Sequence, residues 1–219
     1  MRADQKRGER EPRWPAGVAL LGVGGLYAAL PSSLVIAGSR WLLVIAVTLL
    51  LVAAVVTHQR GQHLINQVVG FTLNGLVTLA MVASLALLIA ALPAHEITPQ
   101  QLLRSAAALW LTNIVVFASW YWRLDGGGPH QRGLSVGHSD GAFLFPQMTM
   151  DPAAKLAAGE HEWEPHFVDY LFLAFNTSTA FSPTDVPVLS RWAKALMMLQ
   201  PLISLLVIAL LAGRAVNIL

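Results

Sequence analysis

At 219 residues, 55% hydrophobic and only 12% charged, the chain lies outside the composition of a water-soluble domain, which carries roughly a quarter charged residues. It has no cysteine, so disulfides and thiolate metal sites are excluded. The net charge of +2 collects at the start, where Arg2, Lys6, Arg7, Arg10 and Arg13 stand against Asp4, Glu9 and Glu11. Residues 1–15 therefore read as a basic, solvated, cytoplasmic tail, and no nucleic-acid partner is expected.

Spanning a hydrocarbon core takes about 20 mostly apolar residues. Residues 16–122 hold four such stretches, at 16–37, 41–57, 68–92 and 102–122. The first run continues toward the second without a small-residue cleavage site, so a cleaved leader is not expected. Pro31-Ser32-Ser33 is a place for the first run to break early, and Gly38-Ser39-Arg40 closes a tight hairpin with the second. Residues 58–67 join the second run to the third, and residues 93–101, with two prolines, join the third to the fourth. Most tryptophans fall near run ends, where amphipathic rings favour the headgroup layer. Asn66, Asn74 and Asn113 lie at or within the runs, and Asn74 with Thr78 forms an i,i+4 polar pair. Interhelical hydrogen bonding is the role expected of them. No Asp, Glu, Lys or Arg falls at the centre of these four runs, which removes the buried charges of a proton relay or secondary transporter.

Residues 123–166 change character, with Gly126-Gly127-Gly128-Pro129, scattered charges and four histidines. They read as a soluble polar loop, long for a connection without regular structure. Phe143-Leu144-Phe145-Pro146 and Trp163 are apolar enough to dock back onto the membrane face and give it partial order. Glu160-His161-Glu162-Trp163-Glu164-Pro165-His166 gathers metal-binding side-chain types, but its spacing matches no closed site. A solvated surface is expected there, with neither metal nor cofactor.

Residues 167–219 hold a short apolar helix that turns polar at Asn176-Thr177-Ser178-Thr179, then Ala180-Phe181-Ser182-Pro183-Thr184-Asp185, then a long apolar run behind Arg191 and Lys194. Half-helix, polar turn and full-length helix is the order by which channels place backbone at membrane depth, tolerated only around a wet path or inside protein. On the last run Met197, Gln200, Ser204, Val207, Leu211 and Arg214 share one helical face. Gln200 and Ser204 suit either a wet path or hydrogen bonds between helices. Asp169 supplies negative charge to the first turn of the short helix, where the helix dipole favours it.

This region, from Trp163 onward, resembles the pore-helix, filter and inner-helix unit of the tetrameric potassium-channel superfamily. The resemblance rests on Asp169-Tyr170 with Phe172 and Phe175, on Thr179 and Asp185, and on the helix start Ala193-Lys194-Ala195-Leu196-Met197-Met198-Leu199-Gln200. Against the family pattern T-T-V-G-Y-G-D stands Thr179-Ala180-Phe181-Ser182-Pro183-Thr184-Asp185, with both filter glycines missing. Those glycines permit the torsions that aim successive carbonyls at an ion, and Pro183 fixes φ near −65° instead. The resemblance implies a pore-like set of Asn176, Thr177, Thr179, Phe181, Ser182, Pro183, Asp185, Gln200 and Ser204, with monovalent ions and further copies of the chain, four in all, as partners.

The fold expected is an all-α, polytopic transmembrane helix bundle with five or six crossings in a cell membrane. If the short helix crosses fully, both termini share a side, and 10 Lys and Arg face 4 across the membrane, which places the N-terminus in the cytoplasm. If it re-enters, five crossings put the termini on opposite sides. No nucleophile elbow, Walker loop or metalloprotease histidine pair appears, so no catalytic residue is expected. The functional expectation is an ion-channel-like pore module that is weakly selective or non-conducting. The alternative is a membrane scaffold or interaction protein.

Overall fold

The computed structural model describes residues 12–92, 97–132, 141–159, 163–181 and 186–216. All regular elements among them are helical. Six helices carry the architecture: α1 (Trp14–Ala28), α2 (Arg40–Gln59), α3 (His63–Ala91), α4 (Pro99–Leu124), α5 (Phe167–Thr179) and α6 (Arg191–Val216). Four are long and apolar enough to cross a membrane, namely α2, α3, α4 and α6.

The first apolar run does not form one spanning helix. Its α-helix stops at Ala28, and two short 3₁₀ turns, Ser32–Leu34 and Ile36–Gly38, complete it. Pro31 is the cause, because proline disfavours helical torsions in the residue before it and has no N–H to donate. The Tyr27 hydroxyl accepts from the Ile36 backbone N–H at 2.9 Å and folds the turns back against α1. The second helix runs on to Gln59 and the third begins at His63 rather than near residue 68, so only residues 60–62 of the expected 58–67 connector are not helix. Gly61, at φ +67°, makes the turn that allows this. Asn66 closes the α2–α3 corner, donating to the Ala54 carbonyl at 2.6 Å and to Thr57 Oγ1 at 3.0 Å.

α4 is the central helix. Thr98 and Gln101 cap its start reciprocally, with Pro99 at the first turn. It packs against α1, α3, α5 and α6, and most of its length is buried, whereas α2 buries only Leu43 and Val47. Asn74 and Thr78 act as expected between helices: Ser119 Oγ donates to Asn74 Oδ1 at 2.8 Å and Trp120 Nε1 to Thr78 Oγ1 at 2.9 Å. Of the α6 face read from spacing, Met197, Gln200, Ser204 and Val207 are buried and Leu211 is half-buried.

The described residues of the 123–166 segment carry short regular elements, in keeping with the partial order expected of it. α4 runs on to Leu124, a 3₁₀ turn at Asp125–Gly127 continues it, and three short α-helical pieces follow, Pro129–Arg132, Pro146–Thr149 and Pro152–Ala157. Gly126, Gly127 and Gly128 all have positive φ, and a Cβ at Gly128 would lie 2.8 Å from the Arg123 carbonyl oxygen. The chain therefore needs glycine to turn away from α4. The Glu160 to Glu162 part of the acidic-histidine run lies outside the described residues.

Candidate functional site

The C-terminal module is built around α5, whose 13 residues give about 20 Å of helix against a hydrocarbon core of about 30 Å. Its start is capped by Asp169, whose Oδ2 accepts from the His166 backbone N–H at 2.7 Å. This carboxylate in the first turn is the dipole-compensating role expected of it.

A buried aromatic and charged cluster fixes the start of α5. Asp125, fully buried just beyond the end of α4, accepts from Tyr170 Oη at 2.6 Å and from the Ala142 backbone N–H at 2.5 Å. Arg132 donates to the Trp122 and Asp125 carbonyls, both at 2.7 Å, and lies over the Tyr170 ring. Phe143, also fully buried, packs on Tyr121, Tyr170 and Trp192, with ring centroids 5.2 to 6.1 Å apart. It therefore touches the end of α4, the start of α5 and the start of α6 together. A short extended pairing completes the wedge, with Leu144 N–H donating to the Pro187 carbonyl at 3.0 Å and Leu189 N–H to the Ala142 carbonyl at 2.8 Å.

Gln200 of α6 fixes the other part of α5. Its Nε2 donates to the Ala174 carbonyl and to Ser178 Oγ, both at 2.7 Å, and its Oε1 accepts from Tyr121 Oη at 2.6 Å. Asn113 Nδ2 donates to Ser204 Oγ at 3.0 Å and to the Gln200 carbonyl at 3.2 Å. Position 170 thus sits level with 192, and positions 174 and 178 with 200. α5 and α6 start at the same end of the bundle and run the same way.

No protein-family model, curated protein or solved structure matches the chain.

The residues singled out in the sequence fall into three groups. Thr177, Gln200 and Ser204 are buried inside the chain's own bundle, Thr177 donating to the Leu173 carbonyl at 2.8 Å. Gln200 and Ser204 are thus hydrogen-bonded between helices, not presented to open space. Asn176 is half-buried, while Thr179 and Phe181 are exposed at the tip of the half-helix. Ser182, Pro183 and Asp185 lie outside the described residues. Phe181 alone among described non-glycine residues has a positive φ, +54°. It occupies the position just past the helix end where glycine is usual, at a cost of about 1–2 kcal/mol for a side chain with a Cβ. Sequence reasoning marked Phe143 only as part of a stretch that docks back, without its partners, and missed Asp125 and Tyr121 as anchors. Their signal, a lone carboxylate after a long apolar run and aromatics in a polar segment, acquires meaning only when the distant partners are known.

Proposed function

We propose that the chain is a five-crossing cell-membrane protein whose half-helix α5 enters and leaves on one side, forming with further copies a pore-like mouth for monovalent ions. The parallel course of α5 and α6 from one end carries this reading, because a helix that crossed fully would deliver α6 to the opposite end. Following the helices in order, that end collects the basic tail and Arg13, Arg60, Arg123, Arg132, Lys155, Arg191 and Lys194, which makes 11 Lys and Arg against Arg40, Arg104 and Arg214 at the other. By the positive-inside rule the charged end faces the cytoplasm. The half-helix then opens inward, with the N-terminus inside and the C-terminus outside. This removes the conflict between a basic cytoplasmic tail and a pore module, which arises only for a mouth that opens outward.

Tags placed at both termini in intact cells or oriented vesicles should report opposite sides. Termini on the same side would eliminate the re-entrant arrangement.

Without filter glycines, a path past Thr179 and Phe181 has no ring of carbonyls to replace an ion's hydration shell, so it is expected to discriminate weakly among monovalent ions. Planar-bilayer recordings on purified protein check this, and a strong preference for potassium over sodium would refute it. One observation favours the scaffold alternative: the buried hydroxyls and amides of Thr177, Ser178, Asn113, Gln200 and Ser204 form hydrogen bonds within one copy. Electrical silence that persists after Phe181→Ala supports that alternative.

A further inference from the structure

We propose that the interstice among α1, α4 and α5 is a binding site for one acyl chain of a membrane phospholipid. The site requires that the protein lie in a bilayer but not that α5 line a pore.

A groove of about 680 Å³ runs between these helices, within the size range of ordinary ligand sites. Gly22 and Leu26 of α1, Ile114 and Val115 of α4, and Phe172 and Phe175 of α5 line it, and its walls carry almost no polar surface. Two features of the sequence open it. α1 has glycine at position 22, where an added Cβ would meet nothing within 4 Å. α5 leaves Phe172 59% exposed, while Phe175 is held edge-on to Trp110 with ring centroids 6.1 Å apart. None of the lining residues adjoins an undescribed segment, so the described helices shape the space.

The shape and chemistry of the groove select its occupant. α1 and α5 touch each other as well as α4, so no further helix, about 10–12 Å across, passes between them. Water is excluded too, because a buried water needs several polar partners and the lining side chains offer none. Left empty, the groove forfeits dispersion contacts along its walls. A hydrocarbon chain restores them by touching three helices at once, whereas a chain lying on the outward face of α2 touches one. A free fatty acid would bring a carboxylate that no lining side chain satisfies. A phospholipid instead leaves its headgroup in the interface, and the groove begins at Val168, in the first turn of α5 at the charged end of the bundle.

Phosphatidylcholine carrying a photoactivatable diazirine in one acyl chain tests this on the full chain reconstituted in phosphatidylcholine vesicles, with the labelled positions read by peptide mass spectrometry. Crosslinks are expected at Leu26, Val115 and Phe172 in excess of those at Leu49 and Val52, which are about as exposed as Phe172 but lie on the open face of α2. Gly22→Leu fills the groove with a side chain whose Cβ meets no neighbour, and leucine is the better helix former. The variant should keep the wild-type melting temperature while its groove crosslinks fall to the α2 level. Phe172→Ala, which removes an exposed wall, should lower the crosslinks at Leu26 and Val115 as well. Groove crosslinks no more frequent than those on α2 in the wild type would overturn the proposal, leaving only an ordinary lipid annulus. So would groove labelling that persists undiminished in both variants. Preferential labelling by a diazirine fatty acid added at the same concentration would assign a free fatty acid instead, and a disulfide between copies carrying Phe172→Cys would seat a second copy of the chain there.

Discussion

Replacing Gln200 by leucine is expected to release the half-helix from the bundle. The substitution leaves Tyr121 Oη, the Ala174 carbonyl and Ser178 Oγ without the partner they share. Each lost bond between transmembrane helices is worth about 0.6 kcal/mol on average and up to about 1.7, so destabilisation of about 2–5 kcal/mol is expected. Ser204→Ala, which removes a single acceptor from Asn113, should cost only about 0.6 kcal/mol on the same scale. Thermal unfolding in detergent measures the difference. Because the chain has no cysteine, a Thr177→Cys reporter, buried in the intact bundle, reads the release directly: labelling should accelerate in the Gln200→Leu background and not with Ser204→Ala. Equal labelling in all three proteins would show that Gln200 does not hold α5.

Asp125→Ala should have an effect of similar size at the opposite end of α5. The Ala142 N–H and Tyr170 O–H lose their acceptor inside a fully buried cluster, at about 1–3 kcal/mol for each orphaned donor. Tyr170 is then free to leave Arg132, and Phe143 loses the backbone anchor at Ala142 that seats it between Tyr121, Tyr170 and Trp192. Phe143→Ala removes the wedge itself and should cost about 3–5 kcal/mol, the usual range for a large buried aromatic. Both variants are expected to expose residues 141–159 to limited proteolysis while α2 and α3, which pack on each other and are tied at the Asn66 corner, stay protected. Asp125→Asn keeps an acceptor oxygen and should fall between wild type and Asp125→Ala. If Asp125→Ala melts with wild type and resists protease, the buried carboxylate is not the anchor of this end.

The amino-acid sequence by itself determined the all-α architecture, the apolar runs long enough to cross a membrane and the residues that share one face of α6. Those properties depend on run length and on residue spacing within one helix, and both are local. It also marked Pro31 as a break, because proline acts on its immediate neighbours. The same locality explains what it left open. A 13-residue apolar helix ending in Asn176-Thr177-Ser178-Thr179 suits a full crossing or a return, and nothing between residues 167 and 191 chooses. Only the tertiary structure decided that α5 and α6 start together, through contacts of Phe143 with Tyr170 and Trp192 and of Leu144 with Pro187, whose partners lie 27 or more residues away in sequence. Gln200 illustrates the division. Its spacing announced the face it would occupy, but whether that face met water or protein depended on Tyr121, Ala174 and Ser178 reaching it from two other helices. A buried amide can be satisfied by either, and only the packing of α4 and α5 against α6 supplied the protein partners.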